Sequence, residues 1–323
     1  MFGVSKMSVL MFTASKIKYG LSKTSDNPDR NFVDLRNQTV PGQFGVNCCG
    51  TNDSQTSNCQ TLFFNSVEDF CIWGPAEESQ KISEAAGKLV AWCTRPGRGT
   101  RLIPDGALKG VHFISTNHYT QITGTLNGTL INIAFNDTGA ELDPEGATGL
   151  GNPVGGLIFT ESFGEGIRQV KDWTSFMGDG EFCMRICNPD DEESTDYCNQ
   201  RYDMMGCKWV MPGVYTEGFD SCEADSLPPP GVYGSSTFKQ GDTPVPPPHE
   251  PTLPTNCSYY SELKPIPANN LTSFQCVAPT KKNPKRNSSS VADYARSKSR
   301  AYRLRCNFFL QPALIILLMS LMC

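Results

Sequence analysis

Histidine is almost missing from this chain. Three occur in 323 residues, His112, His118 and His249, and none stands near a close pair of cysteines, so the knuckles of a zinc site are absent. No G-x-S-x-G elbow occurs, and no serine or cysteine sits in a recognisable nucleophile setting with a partnered histidine, which removes the usual sequence basis for acyl transfer. The C-terminal apolar run, Phe308–Met322, is fifteen residues broken by Gln311 and Pro312, short of the roughly twenty that span a bilayer. Basic charge is scarce outside one segment. Residues 281–305 hold nine Lys/Arg against one Asp, so within a net charge of −5 the rest of the chain carries −13. An acidic body disfavours nucleic acid as a partner, because phosphate neutralisation needs a basic surface. No cofactor and no metal is expected.

Cysteine, by contrast, is abundant. Fourteen are present, widely spaced, and disulfides in an oxidising compartment account for them better than thiolate metal sites. Leaving aside Cys48, ten lie between positions 49 and 257: Cys49, Cys59, Cys71, Cys93, Cys183, Cys187, Cys198, Cys207, Cys222 and Cys257. An even number fits five bridges, but spacing does not fix their connectivity. N-glycosylation sequons fall at Asn37, Asn52, Asn127, Asn136, Asn256, Asn270 and Asn287 and point independently to secretion.

Along the chain, residues 1–20 form a signal-like segment without a convincing cleavage site, and 21–45 a polar arm. Residues 46–240 are expected to form a disulfide-rich β domain, followed at 241–305 by a proline-rich and then basic linker, a C-terminal stalk. Residues 306–323 fit the hydrophobic tail of a GPI-attachment signal. The densest stretch, Val90–Phe113, combines Cys93, the turn Arg95–Gly99 and strand-forming residues. The two arginines of that turn resemble an anion site, but no helix start follows the glycines, so it reads as scaffold.

Thr120–Leu126 and Thr129–Phe135 flank Asn127-Gly128, the pair preferred by type I′ turns, which predicts a hairpin pairing Ile122 with Ile133. Phe182, Met184 and Ile186 alternate with Cys183, Arg185 and Cys187, which predicts a strand with both cysteines on one face, although a helix would also align them. Ser194 is expected to cap a short helix over Tyr197–Met205. Residues 137–156 are so rich in Gly and Pro that they read as a solvated loop carrying Asp137, Glu141, Asp143 and Glu145. That spacing resembles the start of a calcium loop, but Pro144 intervenes and Asn152 stands where the bidentate Glu belongs. The same acids, with Asp172, could serve as a glycosidase pair. Trp173, Trp209 and Tyr202 could stack on sugar, although aromatics beside disulfides are more often core.

Six segments, Asn58–Pro75, Ala91–Phe113, Gly139–Leu157, Trp173–Phe176, Glu181–Cys187 and Tyr202–Trp209, read in order as N-C-Q-T-L-F-F-N-S-V-E-D-F-C-I-W-G-P, A-W-C-T-R-P-G-R-G-T-R-L-I-P-D-G-A-L-K-G-V-H-F, G-A-E-L-D-P-E-G-A-T-G-L-G-N-P-V-G-G-L, W-T-S-F, E-F-C-M-R-I-C and Y-D-M-M-G-C-K-W. Over about two-thirds of its length the chain resembles the fungal macrophage-activating glycoproteins, a secreted, cysteine-rich family without established enzymatic activity. The family's N-x-C-G start appears here as Asn47-Cys48-Cys49-Gly50, which makes Cys48 a surplus, unpaired candidate.

The expected fold is mainly β: a disulfide-stabilised sandwich or barrel with one or two short helices. The expected function is that of a secreted, wall-associated or cell-surface glycoprotein that binds or displays and does not catalyse. Its expected partners are cell-wall polysaccharide or host immune-cell receptors, with the membrane reached only through the C-terminal anchor. The alternative is a carbohydrate-binding module or glycoside-active enzyme built on the acidic loop 137–145 and Trp173.

Overall fold

Aromatic and β-branched residues crowd the segments that form strands, most of them bounded by turns that carry Gly, Pro or Asn. The computed structural model describes residues 40–251 and 253–263, with the backbone of 34–36 and 275–277. The signal-like segment, the sequons at Asn37, Asn270 and Asn287, the basic linker and the hydrophobic tail lie outside the described residues. In chain order the strands are β1 (Asp34–Arg36), β2 (Thr61–Ser66), β3 (Asp69–Gly74), β4 (Val90–Cys93), β5 (Arg101–Leu102), β6 (Leu108–Ser115), β7 (Tyr119–Leu126), β8 (Ala140–Leu142), β9 (Leu157–Thr160), β10 (Arg168–Val170), β11 (Trp173–Met177), β12 (Gly180–Cys187), β13 (Gly218–Glu223), β14 (Val232–Tyr233), β15 (Ser236–Thr237), β16 (Thr255–Tyr260) and β17 (Gln275–Val277). The α-helices are single turns, α1 (Ile82–Ala85) and α2 (Cys207–Val210).

Two sheets share one core, which makes the fold a sandwich. The six-stranded sheet runs β10-β9-β2-β3-β4-β5 and the seven-stranded sheet β16-β13-β6-β7-β12-β11-β8. Rings meet between them: Phe64 stacks on Phe113 at 5.5 Å, Phe70 on Phe182 at 6.5 Å, and Trp73 lies 6.1 Å from Trp173. Burying each such side chain contributes roughly 2–3 kcal/mol. β6 and β7 approach closely because Gly124 has no Cβ; one placed there would lie 2.1 Å from the Gly110 carbonyl oxygen and 2.7 Å from the Phe182 ring. Trp173 is 1% exposed, Trp209 7% and Tyr202 3%. They are core, and the sugar-stacking role is corrected.

On β12 the strand reading holds. Phe182, Met184 and Ile186 enter the central core, while Cys183 and Cys187 point to the outer face, in separate small clusters. There Cys183 bonds Cys207 of α2 and Cys187 bonds Cys198. The remaining described bridges are Cys49–Cys59, Cys71–Cys93 between paired β3 and β4, and Cys222–Cys257 between paired β13 and β16. Cys48 is disulfide-bonded too, so its reading as a surplus thiol is corrected.

Three local expectations change. The Asn127-Gly128 hairpin does not form: β7 already pairs with β6 on one side and β12 on the other, leaving no edge for residues 129–135. Ile122 therefore opposes Phe113 and Met184, and Gly128–Ile131 winds into a 3-10 turn. Tyr197–Met205 is not a helix either. A 3-10 helix occupies Glu192–Cys198, capped by the Asp191 carboxylate accepting from the Glu193 amide. The body also continues past position 240, because the proline-rich segment lies along it. The Trp209 indole donates to the Pro246 carbonyl at 2.9 Å, and β16 then joins the seven-stranded sheet.

The Cys222–Cys257 bridge holds that last strand at the sheet edge across a separation of 35 residues. Replacing both cysteines by serine should lower unfolding free energy by about 3 kcal/mol and accelerate amide exchange in β16 while β7 stays protected. Unchanged exchange in β16 would contradict this tethering role.

Candidate functional site: an acidic cleft

The short edge strand β8 interrupts what reads as a continuous loop. It pairs with β11, placing Leu142 in the core and Glu141 on the opposite face. Glu141 Oε1 accepts from the Thr174 hydroxyl at 2.9 Å. Burial pushes the Glu141 carboxyl up to about 8, aided by the charge of Asp143, which also shares a hydrogen bond with it. Asp143 is 6% exposed and its Oδ1 accepts from the amides of Glu145 and Gly146 at 2.7 and 2.6 Å. Asp137 is likewise buried, its Oδ2 taking the Ile82 amide at 2.8 Å. The expectation of a solvated acidic loop is therefore corrected at these positions.

Glu141 and Asp143 line a cleft of about 880 Å³, within the size range of small-molecule sites. Its far wall is the segment Thr195–Asp203, tethered by Cys187–Cys198. Six carboxyl residues, Glu141, Asp143, Glu145, Asp172, Asp196 and Asp203, line it together with one guanidinium, Arg201, and the carboxamides Asn152, Asn199 and Gln200. Asp172 is also raised, first by burial and then by Glu145. The Glu141 proton is held in its hydrogen bond to Asp143, while the other carboxyl groups accept and the carboxamides and Arg201 donate, an arrangement suited to hydroxyl groups. Among the described residues no group of three or more His, Cys, Asp or Glu side chains is arranged to hold a metal ion. The carboxamides and Arg201 on the far wall escaped sequence reasoning, because nothing local links them to the loop at 137–145.

The Arg95–Gly99 turn already holds an anion of its own. The Asp53 carboxylate accepts from the amides of Gly97, Arg98 and Thr100, and both arginines bond Asp69 Oδ2. The described sequons at Asn52, Asn127, Asn136 and Asn256 are all exposed.

The chain is 41% identical over 235 residues to the appressorium protein ROW2 of Mycosarcoma maydis, a match covering 70% of this chain and 80% of ROW2. It belongs to this family of fungal appressorium proteins. Appressorium protein ROW1 of the same organism is also 41% identical, over 258 residues that make up 77% of this chain and 60% of ROW1. No family model matches, and no solved structure does.

The raised Glu141 has a consequence for stability. Its ordinary value is 4.5, whereas the folded protein holds the proton to about 8. Between those values the unfolded chain binds fewer protons, so stability falls as pH rises through this window. Glu141→Gln keeps the donor and removes the charge. The variant should gain on the order of 4 kcal/mol over wild type at pH 8.5 while matching it near pH 4, as read by urea unfolding. An equal difference at both pH values would refute the burial account.

Proposed function

We propose that this appressorium-family protein is an extracellular, wall-associated or cell-surface glycoprotein that binds or displays and does not catalyse. The observation that carries the reading is the combination of a bridged sandwich, five disulfides between described cysteines, with four sequons that all face solvent. Cross-links on that scale belong to oxidising compartments, and the relatives' names refer to an appressorium. The resemblance to macrophage-activating glycoproteins extends the reading to recognition by host immune-cell receptors, and the wall offers polysaccharide as a second partner. The acidic cleft is the natural place for a hydroxyl-rich ligand, since it sets carboxyl acceptors beside carboxamide and guanidinium donors. No nucleic acid is part of this reading.

A glycoside-active enzyme is the second reading, favoured by one observation: Glu141 is held protonated beside Asp143, as a general acid is. Against it, Glu141 and Asp143 share a hydrogen bond, whereas glycoside hydrolysis places its carboxyls about 5–9.5 Å apart. Trp173 cannot help, being buried against Trp73.

The two readings part in one assay. The full chain is incubated with insoluble chitin, β-glucan and mannan, and both retention and release of reducing sugar are measured. Binding with no release, weakened at least about tenfold by Asp143→Asn with Arg201→Ala, supports display and recognition. Sugar release that disappears in Glu141→Gln would establish the enzyme instead.

A further inference from the structure

The end of the sandwich around Asp179 carries an unusual pairing of an exposed aromatic ring with a sequon. Phe135 is 78% exposed, and the next residue, Asn136, begins the sequon Asn136-Asp137-Thr138. The two are the central residues of a four-residue turn closed by the Asp137 amide donating to the Ala134 carbonyl at 3.1 Å. That turn is pinned on every side. The Ala134 amide donates to the Gln80 carbonyl at 2.9 Å, and Asp137 Oδ2 accepts from Ile82. The Asp179 carboxylate takes the Asn136 amide on one oxygen at 2.8 Å and the Gly128 amide on the other at 2.9 Å. The ring is thus held out by a clamped backbone.

An isolated exposed aromatic is ordinary on a protein surface, so the weight falls on the residue beside it. Asn136 has φ +58°, a left-handed conformation that glycine adopts freely and that asparagine tolerates best among the others. The position keeps a side chain where the backbone favours none. Among the described residues, the Asn136 side chain has no hydrogen-bond partner and Thr138 is exposed. The other described sequons differ. Asn256 Nδ2 donates to Glu223 Oε2 at 2.7 Å, beside the bridged Cys257, and Asn127 Oδ1 accepts from Thr129 at 2.6 Å. Asn52 is exposed but has no exposed aromatic next to it in sequence.

We propose that Asn136 carries an N-linked glycan whose first sugar ring lies over the Phe135 side chain. The proposal rests on the surface-glycoprotein reading and adds the site and its purpose. In the transfer, the Asn136 Nδ2 forms a bond to C1 of an oligosaccharide carried on a polyprenyl diphosphate. The C1–O bond to the diphosphate breaks, the amide gives up one proton, and the lipid diphosphate leaves. The glycan then shields apolar surface that the clamped turn cannot turn inward.

The test uses the full chain secreted from a fungal host. Glycopeptide mass spectrometry should find Asn136 occupied and Asn256 bare, with occupancy abolished in Asn136→Gln and in Thr138→Ala. The cover is read separately. The four tryptophans Trp73, Trp92, Trp173 and Trp209 are all buried, so in a Phe135→Trp variant acrylamide quenching reports mainly on the new ring. Enzymatic removal of N-glycans, or the added Asn136→Gln change, should raise that quenching at least about twofold. A bare Asn136 in a protein glycosylated elsewhere would overturn this proposal alone, whereas a chain with no glycan would overturn the glycoprotein reading with it. Occupancy with unchanged quenching would overturn the shielding role.

Discussion

Strand β12 joins the parts of this protein, through the two faces that strand geometry gives it. Phe182, Met184 and Ile186 close the core against the six-stranded sheet, while Cys183 and Cys187 hold α2 and the Glu192–Cys198 turn on the outer face. Between the two cysteines lies Arg185, fully buried, with Nε and Nη2 donating to Gln121 Oε1, Nη1 to the Tyr197 carbonyl, and the Tyr119 ring 4.2 Å away. Burial lowers its pKa, yet neutral acceptors and an aromatic face satisfy the guanidinium. Both walls of the acidic cleft descend from this strand. The Glu141 wall reaches it through β8 and β11, the opposite wall through Cys187–Cys198.

What the sequence makes legible follows from how local each signal is. The period-2 pattern at 182–187 is decided by one strand's own residues, and the two-sheet core answers to the aromatic content of Thr61–Cys93. The Asn127-Gly128 hairpin fails because turn preference is a local quantity, whereas β6 and β12 occupy both edges of β7 along nearly its whole length. Asp179, fifty-one residues from Gly128, then takes the Gly128 amide, a contact no window around the turn reveals. Glycine and proline correctly mark 143–156 as irregular, but they say nothing of where its carboxylates point.

The acidity of the body has in part a structural cause. In a fold so rich in loops, many backbone amides lack ladder partners, and buried amides must find acceptors. Carboxylates supply them repeatedly. Asp53 takes three amides of the 97–100 turn, Asp137 the start of α1, Asp143 two amides of its own loop, Asp179 two amides on either side of the 128–136 segment, and Asp191 a 3-10 start. These aspartates do in loops what capping residues do for helices.

That accounting separates the cleft from the rest of the acidic surface. Glu141 accepts from the Thr174 hydroxyl and shares a hydrogen bond with Asp143, and it stays protonated first because it is buried and then because a second charge beside Asp143 is unfavourable. Its proton is held in the hydrogen bond to Asp143, so the donors the cleft offers are its carboxamides and Arg201, set among carboxyl acceptors. A cation needs several ionised oxygens converging on one point; among the described residues no three His, Cys, Asp or Glu side chains are arranged to hold a metal ion, and the cleft sets its six carboxyl groups among carboxamides and a guanidinium. Hydroxyl groups, which donate and accept at once, are complementary to such a lining, and that complementarity is what the proposal of a hydroxyl-rich ligand rests on.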